Sequence, residues 1–297
     1  LVRSRGLGDV YKRQLDNRVL WIKGMNASQE KRWLQFCRDY VPVKDSDGRF
    51  VLEARWTDKE NERRNLAVIR YGDTIKRYDL TLFNSIYLNR EKGTYSAIWQ
   101  QYAAVMCALL CNTDAETSQA FMDTCDFTAE EPIIGMRKIA ADGAYLRRAE
   151  SSNLHILSLV RKESISAIDA QIWKAQLQVL FPLLEIERVS FIKRYRKQVQ
   201  EALGEKYHDF RTGRSQYIYQ FGETVSDPDN AELGTIYRMT KLRRDADAYQ
   251  YLLYIPNEQS RSRIELLHDL RNSLAHGNTC AIDKVIEFIN GHPFDWN

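Results

Sequence analysis

The sequence has no CxxC pair, no apolar run long enough for a membrane and no strong charge of either sign, and each absence removes a class of function. The five cysteines, Cys37, Cys107, Cys111, Cys125 and Cys280, are odd in number and scattered, which suits free buried thiols in a reducing compartment better than a disulfide framework. The most apolar run, Tyr102 to Cys111, is about half of what a bilayer requires, and no secretory segment follows a basic start. A cytosolic (cytoplasmic) protein is therefore expected. Lys and Arg number 43 against 40 Asp and Glu, a formal charge of +3, so affinity for nucleic acid has to come from a local patch. There is no repeat period, no low-complexity tract and no GxxxxGK[ST] loop to cradle phosphates.

The chain also lacks an initiator Met. It opens LVRSRGLGDVYKRQ, a stretch with no helical or alternating pattern that resembles translated adapter read-through at the edge of a metagenomic assembly. Residues 1–14 are set aside as a non-native leader. A frame that begins in an adapter is expected to have lost upstream sequence, a whole domain included.

What is present reads as a mainly α protein: a truncated small α/β module, then a helical domain that ends in a four-helix bundle. In residues 15–92, RVLWIKG reads as a strand and MNASQEKRWLQFCRDYV as a helix capped by Asn26 or Ser28, with Trp33, Phe36, Cys37 and Tyr40 on its apolar face. RFVLEARW and NLAVIRY read as further strands, and RYDLTLFNSIYL as an amphipathic helix or a strand–helix junction. Residues 93–163 read as a helical linker domain whose YSAIWQQYAAVMCALLC stretch is apolar around most of its circumference; Asp114 caps the next helix. Residues 164–297 form the bundle. Helical periodicity runs from Ser164 to Leu203 but meets Pro182, which should kink or divide it. Residues 205–230 read as loop, followed by helices over Glu232–Leu242, Asp245–Ile255, Ser260–Ala275 and Ala281–Asn290.

Four features carry chemistry. Cys107 and Cys111 lie four apart without a His or acidic partner in the run, so they read as core thiols and no metal or cofactor is expected. The six Trp and sixteen Tyr are spread at core spacing and read as packing. Two basic clusters, Lys193, Arg194, Arg196 and Lys197, then Lys241, Arg243 and Arg244, are ordinarily solvated helix faces, but in this bundle they are candidates for sequence-independent phosphate contacts with single-stranded RNA. Last, LLHDLRNSLAHGN places Arg271, Asn272 and His276 at the end of an apolar helical stretch.

That RxxxxH arrangement, with a polar residue directly after the arginine and a helical context over roughly residues 165–290, resembles the HEPN (higher eukaryotes and prokaryotes nucleotide-binding) family. The resemblance implies a metal-independent endoribonuclease, a hydrolase-class nuclease that cleaves RNA by 2′-hydroxyl attack in antiviral defence or toxin-type growth arrest, and a homodimer whose copies pool their motifs. The residue types suit that chemistry, since histidine moves protons near neutral pH and arginine holds permanent charge on the crowded phosphate. Asn272 is placed to bond His276 across one turn and orient its ring. Five residues of regular helix turn through about 500°, so Arg271 and His276 stand about 140° apart; either the helix unwinds at Ala275 to His276, or two copies meet. In a purely structural reading, Arg271 pairs with Asp269 or Glu265, and His276 caps the helix end. The N-terminal module resembles the end of a STAND or AAA+ signalling ATPase, except that VLWIKG ends in Lys23 where such a strand carries an acid. That makes the alternative function a regulatory or oligomerisation arm of such an ATPase, its NTPase domain lying upstream.

Overall fold

A computed structural model describes residues 17–42, 47–54, 66–69, 74–145 and 155–294; the leader at residues 1–14 lies outside them. The chain divides into two compact units, residues 1–74 and 75–297.

In the first unit, β1 (Val19–Ile22) and β2 (Arg49–Leu52) pair in parallel across α1 (Ala27–Asp39), with Val19 opposite Arg49 and Ile22 opposite Leu52. Asn26, not Ser28, caps α1: its side chain accepts from the Gln29 N–H at 2.9 Å while Gln29 returns a bond to the Asn26 N–H. Phe36 and Tyr40 meet Phe50 edge to face, at 5.2 and 5.1 Å between centroids, which fixes the helix on the strand pair. Of the third expected strand, residues 66–69 carry a single bridge at Leu66 and no strand; Asn65, Arg70 and Tyr71 lie outside the described residues.

The second unit holds a single hydrophobic core reaching from Leu80 to Phe294. The expected boundaries at 92/93 and 163/164 are therefore not where the chain divides: the helices on either side of each bury their apolar faces in the same core. The ambiguous RYDLTLFNSIYL segment is helix α2 (Arg77–Glu91), followed by α3 (Ala97–Cys111), α4 (Ala115–Thr124), α5 (Pro132–Ala141), α6 (Ile156–Arg161), α7 (Ile165–Arg194) and α8 (Arg196–Gly204). Helix α3 is the axis of the unit. Every residue from Tyr102 to Cys111 is buried, as a helix apolar all round requires, and α2 and α7 pack along it. Asp114 caps α4 as expected. Buried Asn84 of α2 donates to the Ala104 carbonyl and accepts from Ser118, tying α2, α3 and α4 together.

Pro182 does not divide the long helix. Helix α7 runs unbroken for 30 residues and ends at Tyr195. The bond lost at Pro182 is outweighed by burial of Val179, Leu180 and Leu184 around it. Beyond α8, the expected loop contains two small hairpins, β3 (Tyr207–Asp209) with β4 (Arg214–Gln216), and β5 (Tyr219–Gln220) with β6 (Glu223–Thr224). Then come α9 (Leu233–Lys241), α10 (Glu258–Ala275) and α11 (Ile282–Asn290). The helix expected over Asp245–Ile255 does not form: Arg243 pairs with Tyr251 in antiparallel sense, and the Asp247 side chain takes the Tyr249 N–H in a turn. In all, eleven α-helices stand among the described residues, a mainly α fold.

Candidate active site

The RxxxxH motif closes α10, and its end is held from three sides. His276 is the C-cap, Gly277 turns left-handed at φ 78°, and the Asn278 N–H reaches back to the Ser273 carbonyl at 2.9 Å while Gly277 N–H reaches Leu274. This is a full Schellman motif. The helix thus stops between Ala275 and His276, with Gly277 and Asn278 as its terminators. The Leu274 carbonyl also accepts from the Trp173 indole of α7 at 2.8 Å. Buried Gln176 of α7 clamps the following segment, accepting from the Cys280 N–H and donating to its carbonyl, at 2.7 and 2.9 Å.

Within one chain the motif side chains go separate ways. Arg271 donates to Glu232, the N-cap of α9, at 3.1 Å; this is the one hydrogen bond of its guanidinium among the described residues. It also borders a cavity of about 370 Å³ with Phe181, Arg188, Gln220 and Asp229. His276 is exposed, and its ring has no hydrogen-bond partner among the described residues. The acids expected to partner Arg271 are engaged elsewhere: Glu265 with Lys241 and Tyr237, Asp269 with Lys284 at 2.7 Å. Burial pushes the Asp269 carboxyl up, but the Lys284 ammonium and the His268 ring together more than offset this and leave it below the ordinary value.

The side chain of Asn272 does not orient His276. Only its backbone carbonyl meets that residue, accepting the His276 N–H; its amide turns back one helical turn to the Nε2 of His268, at 2.9 Å. His268 does not stand out in the sequence, yet it is the better held histidine. Its Nδ1 lies 3.4 Å from Asp269, and its ring stacks on Tyr237 at 4.0 Å and 17°. The i, i+4 spacing of His268 and Asn272 is the available signal. The donor assignment makes His268 an acceptor at Nε2, hence protonated at Nδ1 when neutral.

The basic clusters are largely committed to the fold. Arg196 pairs with Asp229 at 2.7 Å and Asp227 at 3.7 Å; Arg194 lies over Tyr195; Lys193 and Lys197 are exposed. Lys241 pairs with Glu265 at 3.2 Å, Arg244 with Glu205 at 3.1 Å, and Arg243 lies 3.7 Å from the Tyr251 ring centre. The five thiols are all buried, and burial raises each pKa, that of Cys280 to about 12. No described helix is long and apolar enough to cross a membrane. In comparisons with known proteins, no family model, curated protein or solved structure matches this chain.

Proposed function

We propose that the chain is a metal-independent endoribonuclease of HEPN type. The observation that carries this reading is the exposed His276 imidazole, unpartnered among the described residues, fixed at the end of α10 five residues after an arginine that keeps donors free of protein bonds. In the reaction the 2′-oxygen attacks phosphorus, the P–O5′ bond breaks, and a 2′,3′-cyclic phosphate forms. The His276 imidazole takes the 2′-hydroxyl proton and, as the imidazolium so formed, gives a proton to the departing 5′-oxygen, while Arg271 neutralises the crowded phosphate. Because Arg271 faces Glu232 while His276 faces solvent, the two are combined by pairing copies of the chain, one supplying the arginine and the other the histidine.

The test is cleavage of single-stranded RNA beside a thermal melt. His276→Ala and Arg271→Ala should each lower cleavage by roughly a hundredfold or more, with 2′,3′-cyclic ends from the wild type; EDTA should leave the rate unchanged. Wild-type rates in both variants, or 5′-phosphate products, overturn the reading. A second reading, an interaction module without catalysis, is favoured by one observation: the Arg271–Glu232 bond joins α10 to the start of α9. Under it Arg271→Ala changes the melt and no RNA is cut.

A further inference from the structure

The hairpin β3–β4 continues into a wider antiparallel sheet. Tyr207 bridges Arg244, and Arg243 bridges Tyr251; the His208 N–H donates to the Arg243 carbonyl and the Arg244 N–H to that of Gln250. Opposite residues in such a ladder share a face, and successive residues alternate. Tyr207 and Leu252 are buried at 4% and 0% exposure, so the neighbouring row turns outward: Ser215, His208, Arg243 and Tyr251, one from each of four adjoining segments.

This outward row carries aromatic and cationic side chains. The Arg243 guanidinium lies 3.7 Å from the Tyr251 ring centre and is steadied by a bond to the Tyr249 carbonyl at 2.8 Å. Phe210 stands edge-on to His208 at 4.7 Å. Phe210 and Tyr249 are 71% and 93% exposed, costly positions for large rings with no role in the core. The exposed cations Lys206 and Arg211 flank β3; Asp245 lies 3.5 Å from His208, and Asp209 and Asp247 hold the adjoining turns.

We propose that this face binds single-stranded nucleic acid, unpaired bases stacking on Phe210, Tyr251 and Tyr249 while the flanking cations follow the backbone. Rings and a guanidinium set in a row offer flat partners to any base without reading its sequence, and a duplex, whose bases are already stacked, cannot use them. An apolar protein surface would take the rings but gains nothing from cations placed alongside them. As a substrate platform the face rests on the ribonuclease reading; as a binding site it is measured without it.

Oligonucleotides of about 12 residues, a length suited to such platforms, separate the two. Labelled deoxythymidine and 2′-O-methyl strands have no free 2′-hydroxyl, so they report binding in the absence of cleavage. The wild type should bind both, and a duplex at least tenfold more weakly. Phe210→Ala, Tyr249→Ala and Tyr251→Ala should each weaken binding by about tenfold with the melt unchanged, and Tyr251→Phe should restore it. Alanine variants that bind like wild type, equal affinity for duplex, or no binding of either strand overturns the proposal, whatever His276→Ala does to cleavage. Loss of cleavage in His276→Ala with oligonucleotide binding intact leaves the platform standing and concerns the active site alone.

Discussion

At the scale of residues, a buried ion pair anchors α10 eight residues before Arg271. Arg263 and Glu187, 9% and 7% exposed, form a bidentate pair between α10 and α7, and Arg263 also donates to the Phe288 carbonyl of α11 and lies over the Phe288 ring. Removing one partner leaves the other charge buried and unpaired, so Arg263→Ala should cost about 3–5 kcal/mol, read as a large fall in Tm. Replacing both by apolar residues of similar volume, Arg263→Met with Glu187→Leu, should recover most of it. A single variant that melts like wild type would show the pair to be solvated. Neither residue was legible as a pair, because they lie 76 positions apart and each reads locally as a helix-surface charge. The motif shows the same limit. Arg271, Asn272 and His276 were legible as types and spacing, but the partner of Arg271 is Glu232, 39 positions earlier in the chain. Local periodicity offered only Asp269 and Glu265, which Lys284 and Lys241 already occupy.

At the scale of elements, what the sequence made plain was what local chemistry decides. Asn26, one of the two caps offered, and Asp114 cap their helices, the apolar run of α3 is buried throughout, and α10 ends at Ala275 with Gly277 turning the chain beyond its cap. What it hid was decided by pairing. Residues 245–255 have enough leucine and isoleucine for a helix, but Asp247 closes a turn onto Tyr249, and Leu252 and Leu253 donate to the Leu242 and Met239 carbonyls. Pro256, which disfavours helix in the residue before it, was the sequence signal for an extended course. The end of α10 gives a prediction at this scale. Gly277 sits at φ 78° with open space where a Cβ would be, so Gly277→Ala strains only the backbone and should cost about 1–2 kcal/mol. If the Schellman turn is what presents His276, cleavage should fall further than that loss of stability explains once both are measured well below the melt. Unchanged cleavage would separate the turn from the site.

At the scale of the whole molecule, one core joins helices that read in sequence as a linker domain and a bundle. Trp99 of α3 bonds Asn290 of α11 at 2.8 Å, and Gln176 of α7 bonds Tyr102 of α3 as well as Cys280. The motif is therefore set within the compact second unit, on a helix whose end is held by Trp173 and Gln176 while Arg271 is bonded to Glu232. The proposed pairing of copies makes a quantitative demand. In a pair where each site takes Arg271 from one copy and His276 from the other, a mixed pair of Arg271→Ala and His276→Ala chains retains one intact site. Random exchange makes half the pairs mixed, each with one of two sites, so mixing the two inactive variants should restore roughly a quarter of the wild-type rate. The restored rate should rise with protein concentration until pairing saturates. A mixture as inactive as its components, measured after exchange has been verified with differently labelled chains, would mean that both residues act from the same chain or that neither acts on RNA, and the shared-site mechanism would fall.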